Sequence, residues 1–307
     1  MVLFLVRYGE LGLKSERVKR LFLRKMMKDI QSTLMSAGIE HTLEEERGRI
    51  YIEADDGFGA SRVIRTIPGI FSFSEVKRTS SDWDILMRSL SDYGRTRLKE
   101  GMTYGLKVRR VGKEGYSSQD VAVHGGGAVS SHLSEGSVKV KLKGPDILFE
   151  VEVRGDNAYL FTDRVQGMGG LPSASQGTIV LFLPHEDPLT DTSILRAKVS
   201  LAMMKRRGCS VHAAAYEVDG PLWEDALKDP HLDIHPLRGH DELLELISTL
   251  DAKGLVHILP IDRVKEAELF VDKGRSIASF FPTAVMDHDE LLIWEKRFFK
   301  GTDPDSS

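Results

Sequence analysis

From Gly177 onward the chain alternates short apolar runs with amphipathic stretches, and this alternation constrains the fold more than any other feature. Apolar runs at 178–183, 210–218 and 255–261 read as buried strands. Periodic stretches at 192–207, 240–252 and 263–273 read as helices. Strands joined through helices run parallel, with helices on both faces, so the spacing predicts a doubly wound Rossmann-like α/β domain over residues 176–300. The turn after the first strand of a nucleotide-binding sheet carries glycines, so that backbone N–H groups close around phosphate. Here it reads Pro184-His185-Glu186-Asp187-Pro188, with no glycine. Glu186, Asp187 and Asp191 suit the dipole of the following helix themselves and repel a triphosphate. His185, Glu186, Asp187 and Asp191 are also metal-ligand types. A solvated acidic helix entry explains them more simply, and no metal site is assigned.

The front of the chain has a different pattern. Residues 2–8 read as a strand, and Ser15 is placed to cap a helix that runs to about Ala37. Val18, Phe22, Met26, Ile30 and Leu34 recur every four residues and form its core stripe. Strand "RIYIEA", a short helix in "GASRVIRTIPGI" and strand "FSFSEVKR" complete a β-α-β-α-β order, which predicts an α+β ferredoxin-like domain over residues 1–75. A second unit over 76–170 holds a helix at 83–99, strand "TYGLKVRRV", a helix at 117–133, and strands "VKVKL", "ILFEVEV" and "AYLFTDRV". "QGMGGLPSASQG", with glycines at 167, 169, 170 and 177, reads as a linker to the last domain.

Charge is divided unevenly. Residues 1–175 carry 27 Lys and Arg against 23 Asp and Glu, and residues 176–307 carry 15 against 23. The front is suited to a polyanion and the back is not. On the first helix Arg17, Arg20, Arg24 and Lys28 form a narrow stripe away from the apolar face. In the middle unit Lys107, Arg109, Arg110 and Lys113 run into Tyr116, Ser117, Ser118 and Gln119. Guanidinium forks suit phosphates, hydroxyls suit phosphate or the 2′-OH, and tyrosine stacks on bases. Lys139, Lys141 and Lys143 alternate, which places them on one face of a strand. All fifteen are candidate RNA contacts.

Other chemistry is weaker. "HGGGAV" at 124–129 has no G-x-S-x-G partner for a hydrolase. The ten histidines show no metal spacing, and Asp219, Glu224 and Asp225 read as a turn and helix start rather than an acid/base pair. A single cysteine, Cys209, and no apolar run near the roughly 20 residues of a membrane span predict a cytoplasmic protein without a membrane partner.

Four motifs, "VRYGELGLKSERVKRLF", "KVRRVGKEGYSSQDV", "QGMGGLP" and "LAMMKRRG", resemble the tRNA 4-thiouridine synthase family, in the family's order along the chain. The middle unit resembles a THUMP domain, an RNA-binding module. The resemblance implies ferredoxin-like, THUMP and PP-loop ATP-pyrophosphatase domains, which in the family adenylate a tRNA uridine and replace its oxygen with sulfur. The chain departs from the family where its SGGxDS loop belongs, and Cys209 matches no sulfur-carrying cysteine of the family. The expectation is therefore an RNA-binding protein that grips the tRNA acceptor region, or other structured RNA, with its front domains. It would have no catalytic residue, metal or cofactor in the last domain. A second reading keeps an active or partner-completed synthase that uses ATP and Mg. A third makes the last domain a homodimerisation surface or a dock for a partner enzyme that supplies catalysis.

Overall fold

The computed structural model describes all residues except 10–14, 47, 113–114, 187, 230–231, 271–276 and 301–307. The chain clusters into two compact units. One holds residues 1–7, 37–61 and 72–165, and the other holds 8–36, 62–71 and 166–307.

The first unit contains most of one sheet and all of a second. In the first sheet β1 (Val2–Tyr8) pairs antiparallel with β3 (Arg49–Ala54), and β3 pairs antiparallel with β2 (His41–Glu46). β4 (Ile70–Glu75) and the two-residue β10 (Val165–Gln166) complete the order β10-β4-β1-β3-β2. Strand β2 does not appear in the sequence reading. Its sequence HTLEEE is nearly all polar, because it is an edge strand with every residue half-buried or exposed.

The second sheet has the order β5-β9-β8-β6-β7, from β5 (Lys77–Ser80), β9 (Asn157–Phe161), β8 (Ile147–Arg154), β6 (Thr103–Val111) and β7 (Lys139–Val140). Two expectations are corrected here. "AYLFTDRV" divides into β9 and β10, which belong to different sheets. Only Lys139 of the three alternating lysines lies in a strand, because β7 ends at Val140; Lys141 and Lys143 follow in irregular chain. One face of the second sheet is covered by α3 (Trp83–Arg95) and α4 (Ser118–Ser130), through a core that includes Leu86, Leu90, Val121, Val129, Phe149 and Val151. Of the three glycines in "HGGGAV", only Gly125 is needed for packing. A Cβ there would meet Leu90 and Leu106 at 2.9 Å, whereas Gly126 and Gly127 face open space.

The second unit contains α1 (Glu16–Ser36) and the last sheet. Phe22, Met26, Ile30 and Leu34 are buried along α1, as their spacing predicts, and Val18 is half-buried. Strands β11 (Thr178–Leu183), β12 (Ser210–Tyr216), β13 (Ile234–Leu237), β14 (Gly254–His257) and β15 (Ala278–Phe280) form an all-parallel sheet in the order β13-β12-β11-β14-β15. The order reverses beside β11, as in a doubly wound sheet. β13, β15 and α8 (His288–Glu295) do not follow from the sequence pattern; each spans at most eight residues, too short for a clear periodicity, whereas α6 (Gly220–Leu227) lies at the turn and helix start read around Asp219. α5 (Asp191–Arg206) and α7 (His240–Thr249) match the periodic stretches, and the expected helix at 263–273 is a 3-10 helix at Ile261–Phe270 whose predicted end lies outside the described residues.

The expected linker is packed against its own unit. Leu171 N–H donates to the Arg206 carbonyl at 3.0 Å, and Gln176 N–H to that of Gly208 at 3.0 Å. Lys25 on α1 donates to the Ala174 carbonyl, and Asp29 accepts from Ser173 N–H at 3.2 Å. The glycines serve this packing: Gly170 has φ +76°, and an added Cβ would overlap the Arg206 carbonyl oxygen.

Candidate nucleic-acid interface

α1 presents its basic stripe to solvent. Arg17, Arg20, Arg24 and Lys28 are all exposed, on the side away from Phe22, Met26 and Ile30. Ser15 accepts from Val18 N–H at 3.5 Å and starts the helix where the sequence places its N-cap. The guanidiniums of Arg20 and Arg24 reach back to the carbonyls of Glu16 and Arg20 at 3.4 Å, which holds them along one line of the helix.

On β6 the period of two separates the basic residues. Lys107 and Arg109 are exposed, opposite Glu150 and Glu152 on β8. Arg110 points to the other face and is half-buried. Lys113 lies outside the described residues. Tyr116 and Ser117 have structural partners. The Tyr116 hydroxyl donates to the Ser81 carbonyl at 2.5 Å, and its ring packs on Trp83 with centroids 5.3 Å apart. Ser117 caps α4 by accepting from Asp120 N–H at 3.1 Å, while Asp120 accepts from Ser117 N–H at 2.7 Å. This reciprocal box and the packed ring fix the turn that carries Ser118 and Gln119, which are half-buried and exposed. Lys139, Lys141 and Lys143 are exposed.

A second group of cations does not follow from the sequence pattern. Within the first unit Arg7 (β1), Arg49 (β3) and Arg154 (β8) converge on Glu152 at 3.0, 3.2 and 2.9 Å, and Arg7 also donates to Ser74 at 2.9 Å. Glu152 is 3% exposed. Burial pushes its carboxyl up, but the Arg49, Arg7 and Arg154 charges outweigh this and hold it down at about 2. Burial lowers Arg7 to about 10. Arg109, in register with Glu152, sits at the rim of this network. Glu150, Glu152 and Arg154 of "LFEVEVR" carry the only signal: charge on the face of a strand whose odd positions are apolar.

The turn after β11 is held by contacts of its own. The Thr190 hydroxyl accepts from Ser193 N–H at 3.1 Å, so α5 caps its own N-terminus, and Asp191 occupies the first turn. The His185 ring pairs with Asp219 at 2.8 Å, and the indole N–H of Trp223 donates to the Pro184 carbonyl at 3.3 Å. No group of three or more metal-ligand side chains occurs among the described residues. No described helix is long and apolar enough to cross a membrane.

A ferredoxin-like segment, a THUMP-like sheet-and-helix unit and a doubly wound parallel sheet, in that order, define the class. The ThiI ferredoxin-like domain matches residues 3–74, and the THUMP domain matches residues 86–163. A probable tRNA sulfurtransferase of Methanosarcina acetivorans is 33% identical over 75% of this chain and 54% of its own length. One of Methanobrevibacter smithii is 29% identical over 68% of this chain and 52% of its own length. The chain belongs to the tRNA sulfurtransferase family. It spans about half the length of these curated relatives. Two crystal structures share its fold. PH1313 from Pyrococcus horikoshii has a TM-score of 0.78 at 22% identity, with 97% of this chain and 99% of that one covered. A 4-thiouridine synthetase–RNA complex with bound ATP has a TM-score of 0.72 at 19% identity, covering 97% of this chain and 85% of that one.

Proposed function

We propose that the chain binds the acceptor region of tRNA through its basic front surfaces and does not itself use ATP. The observation that carries the first part is the stripe of Arg17, Arg20, Arg24 and Lys28, four exposed cations on one line of α1. Arg109 and Lys107 on β6, with the lysines of 139–143, supply further phosphate contacts. The matched THUMP segment and tRNA sulfurtransferase relatives support tRNA as the polyanion. The second part rests on the turn after β11, which has no glycine, whose following helix is capped by Thr190 at the Ser193 N–H, and whose Glu186 and Asp191 repel phosphate.

Two measurements test the reading. In filter binding, the Arg20→Glu/Arg24→Glu double variant should bind tRNA at least tenfold more weakly than the unaltered chain, with an unchanged thermal midpoint. Equal binding removes α1 from the interface. In calorimetry the full chain should give no saturable heat with micromolar Mg-ATP. Saturable binding that disappears in a chain lacking 184–191 contradicts the second part.

A further inference from the structure

Lys107 and Arg109 lack the partners that their register offers. On β6 they stand opposite Glu150 and Glu152 of β8, yet neither makes an ion pair among the described residues. Both carboxylates are already occupied. Glu152 Oε1 accepts from Arg7 Nε at 3.0 Å, and its Oε2 from Arg49 Nε at 3.2 Å and Arg154 Nη2 at 2.9 Å. Glu150 Oε2 accepts from Arg164 Nη2 at 2.7 Å. Within this network donors exceed acceptors, since Arg7 Nη2 is buried without a hydrogen-bond partner. Two further carboxylates, Glu44 and Glu46, lie on β2 in register with Tyr51 and Arg49, on the side of β3 away from β1. All of these residues belong to the first unit.

The edge that carries Lys107 and Arg109 is open. Among the described residues β7 pairs with β6 at Thr103 and Tyr104 alone, and residues 106–111 are all half-buried or exposed. Side chains two apart on a strand share a face and lie roughly 7 Å apart, far enough for each to hold its own phosphate. A carboxylate directly across the ladder would otherwise neutralise each cation and cancel its pull on an anion. Because Glu150 and Glu152 are held by other arginines, the edge keeps two uncompensated charges, one of them a guanidinium fork suited to phosphate. We propose that the outer edge of β6 seats an RNA strand, with one phosphate on Lys107 and one on Arg109, and that Arg164 is a positioning residue that keeps Lys107 available by holding Glu150. Arg7, Arg49 and Arg154 do the same for Arg109 through Glu152. The inference rests on the reading of the chain as an RNA-binding protein, and adds the edge along which the strand lies and the residues that keep that edge cationic.

The probe is tRNA with the full chain, in filter binding at several salt concentrations, with the thermal midpoint of every variant recorded. Lys107→Gln/Arg109→Gln, at two exposed positions, should weaken binding by about tenfold or more. Its log affinity should fall with log salt less steeply, by roughly 0.7–0.9 for each phosphate lost. Arg164→Gln should weaken binding about threefold to fivefold, because the released Glu150 turns to Lys107. Adding Glu150→Gln to that variant should restore the unaltered affinity. Arg88→Gln, which removes an exposed cation from α3 on the other face of the same sheet, should leave the affinity unchanged. If Glu150→Gln does not restore binding, Arg164 touches the RNA itself and its positioning role is overturned. A loss in Arg88→Gln equal to that in Arg164→Gln reduces the effect to net charge and overturns it as well. Binding by the unaltered chain that survives in Lys107→Gln/Arg109→Gln overturns the seat and leaves the α1 surface standing, whereas no tRNA binding by the unaltered chain overturns both.

Discussion

Glu152 balances three guanidiniums, and the sign of its contribution follows from its carboxyl, held at about 2 against an ordinary value of 4.5. A depressed carboxyl stabilises the fold above its unfolded value and loses that contribution as pH falls from about 4.5 toward 2. Glu152→Gln leaves Arg7 and Arg154 buried without their counter-charge and should cost about 3–5 kcal/mol at pH 7 in urea unfolding. The deficit should shrink as the pH is lowered below about 4.5, where Glu152 of the unfolded chain takes up a proton while the folded one stays ionised; a deficit constant from pH 7 to 3 contradicts this account. This network is not legible in the sequence because its members lie on three strands far apart along the chain. Cys209 is legible. It is 7% exposed in the core of the last sheet, and burial pushes its thiol up against the opposing charge of Arg207, as a structural cysteine requires.

At the scale of elements, those with a strong period are readable and weakly patterned ones are not. α1, β3, β6 and β11 follow from their apolar spacing, whereas β2 is polar and β13 and β15 have four and three residues. The glycines of 167–177 are legible as irregular chain, but the reason for Gly170, close approach to the end of α5, depends on where that helix ends in space. Gly170→Ala should therefore destabilise the chain by about 1–3 kcal/mol from backbone strain alone, before the overlap with the Arg206 carbonyl is added. Gly127→Ala, mid-helix in α4 with nothing near its added Cβ, should stabilise by up to about 1 kcal/mol. Thermal midpoints of the two variants moving in the same direction would contradict the assignment of these glycines to packing and to open helix surface.

For the whole molecule the division of charge is readable, and the surfaces carrying it are partly so. The α1 stripe is as exposed as its spacing requires, while Tyr116 and Ser117 hold a turn, a role that only the packing of Trp83 and the capping of α4 reveal. Because α1 belongs to the same compact unit as residues 166–307, the whole chain is the object to measure. The central claim is that exposed arginines and lysines of the front segments hold RNA phosphates. The most direct measurement is the tRNA affinity of the full chain over a range of salt, beside the Arg17→Ala/Arg20→Ala/Arg24→Ala/Lys28→Ala variant. Log affinity should fall linearly with log salt, and the variant's slope should be shallower by roughly 0.7–0.9 for each phosphate it no longer neutralises. A salt-independent affinity, or the same slope in both proteins, would contradict the account.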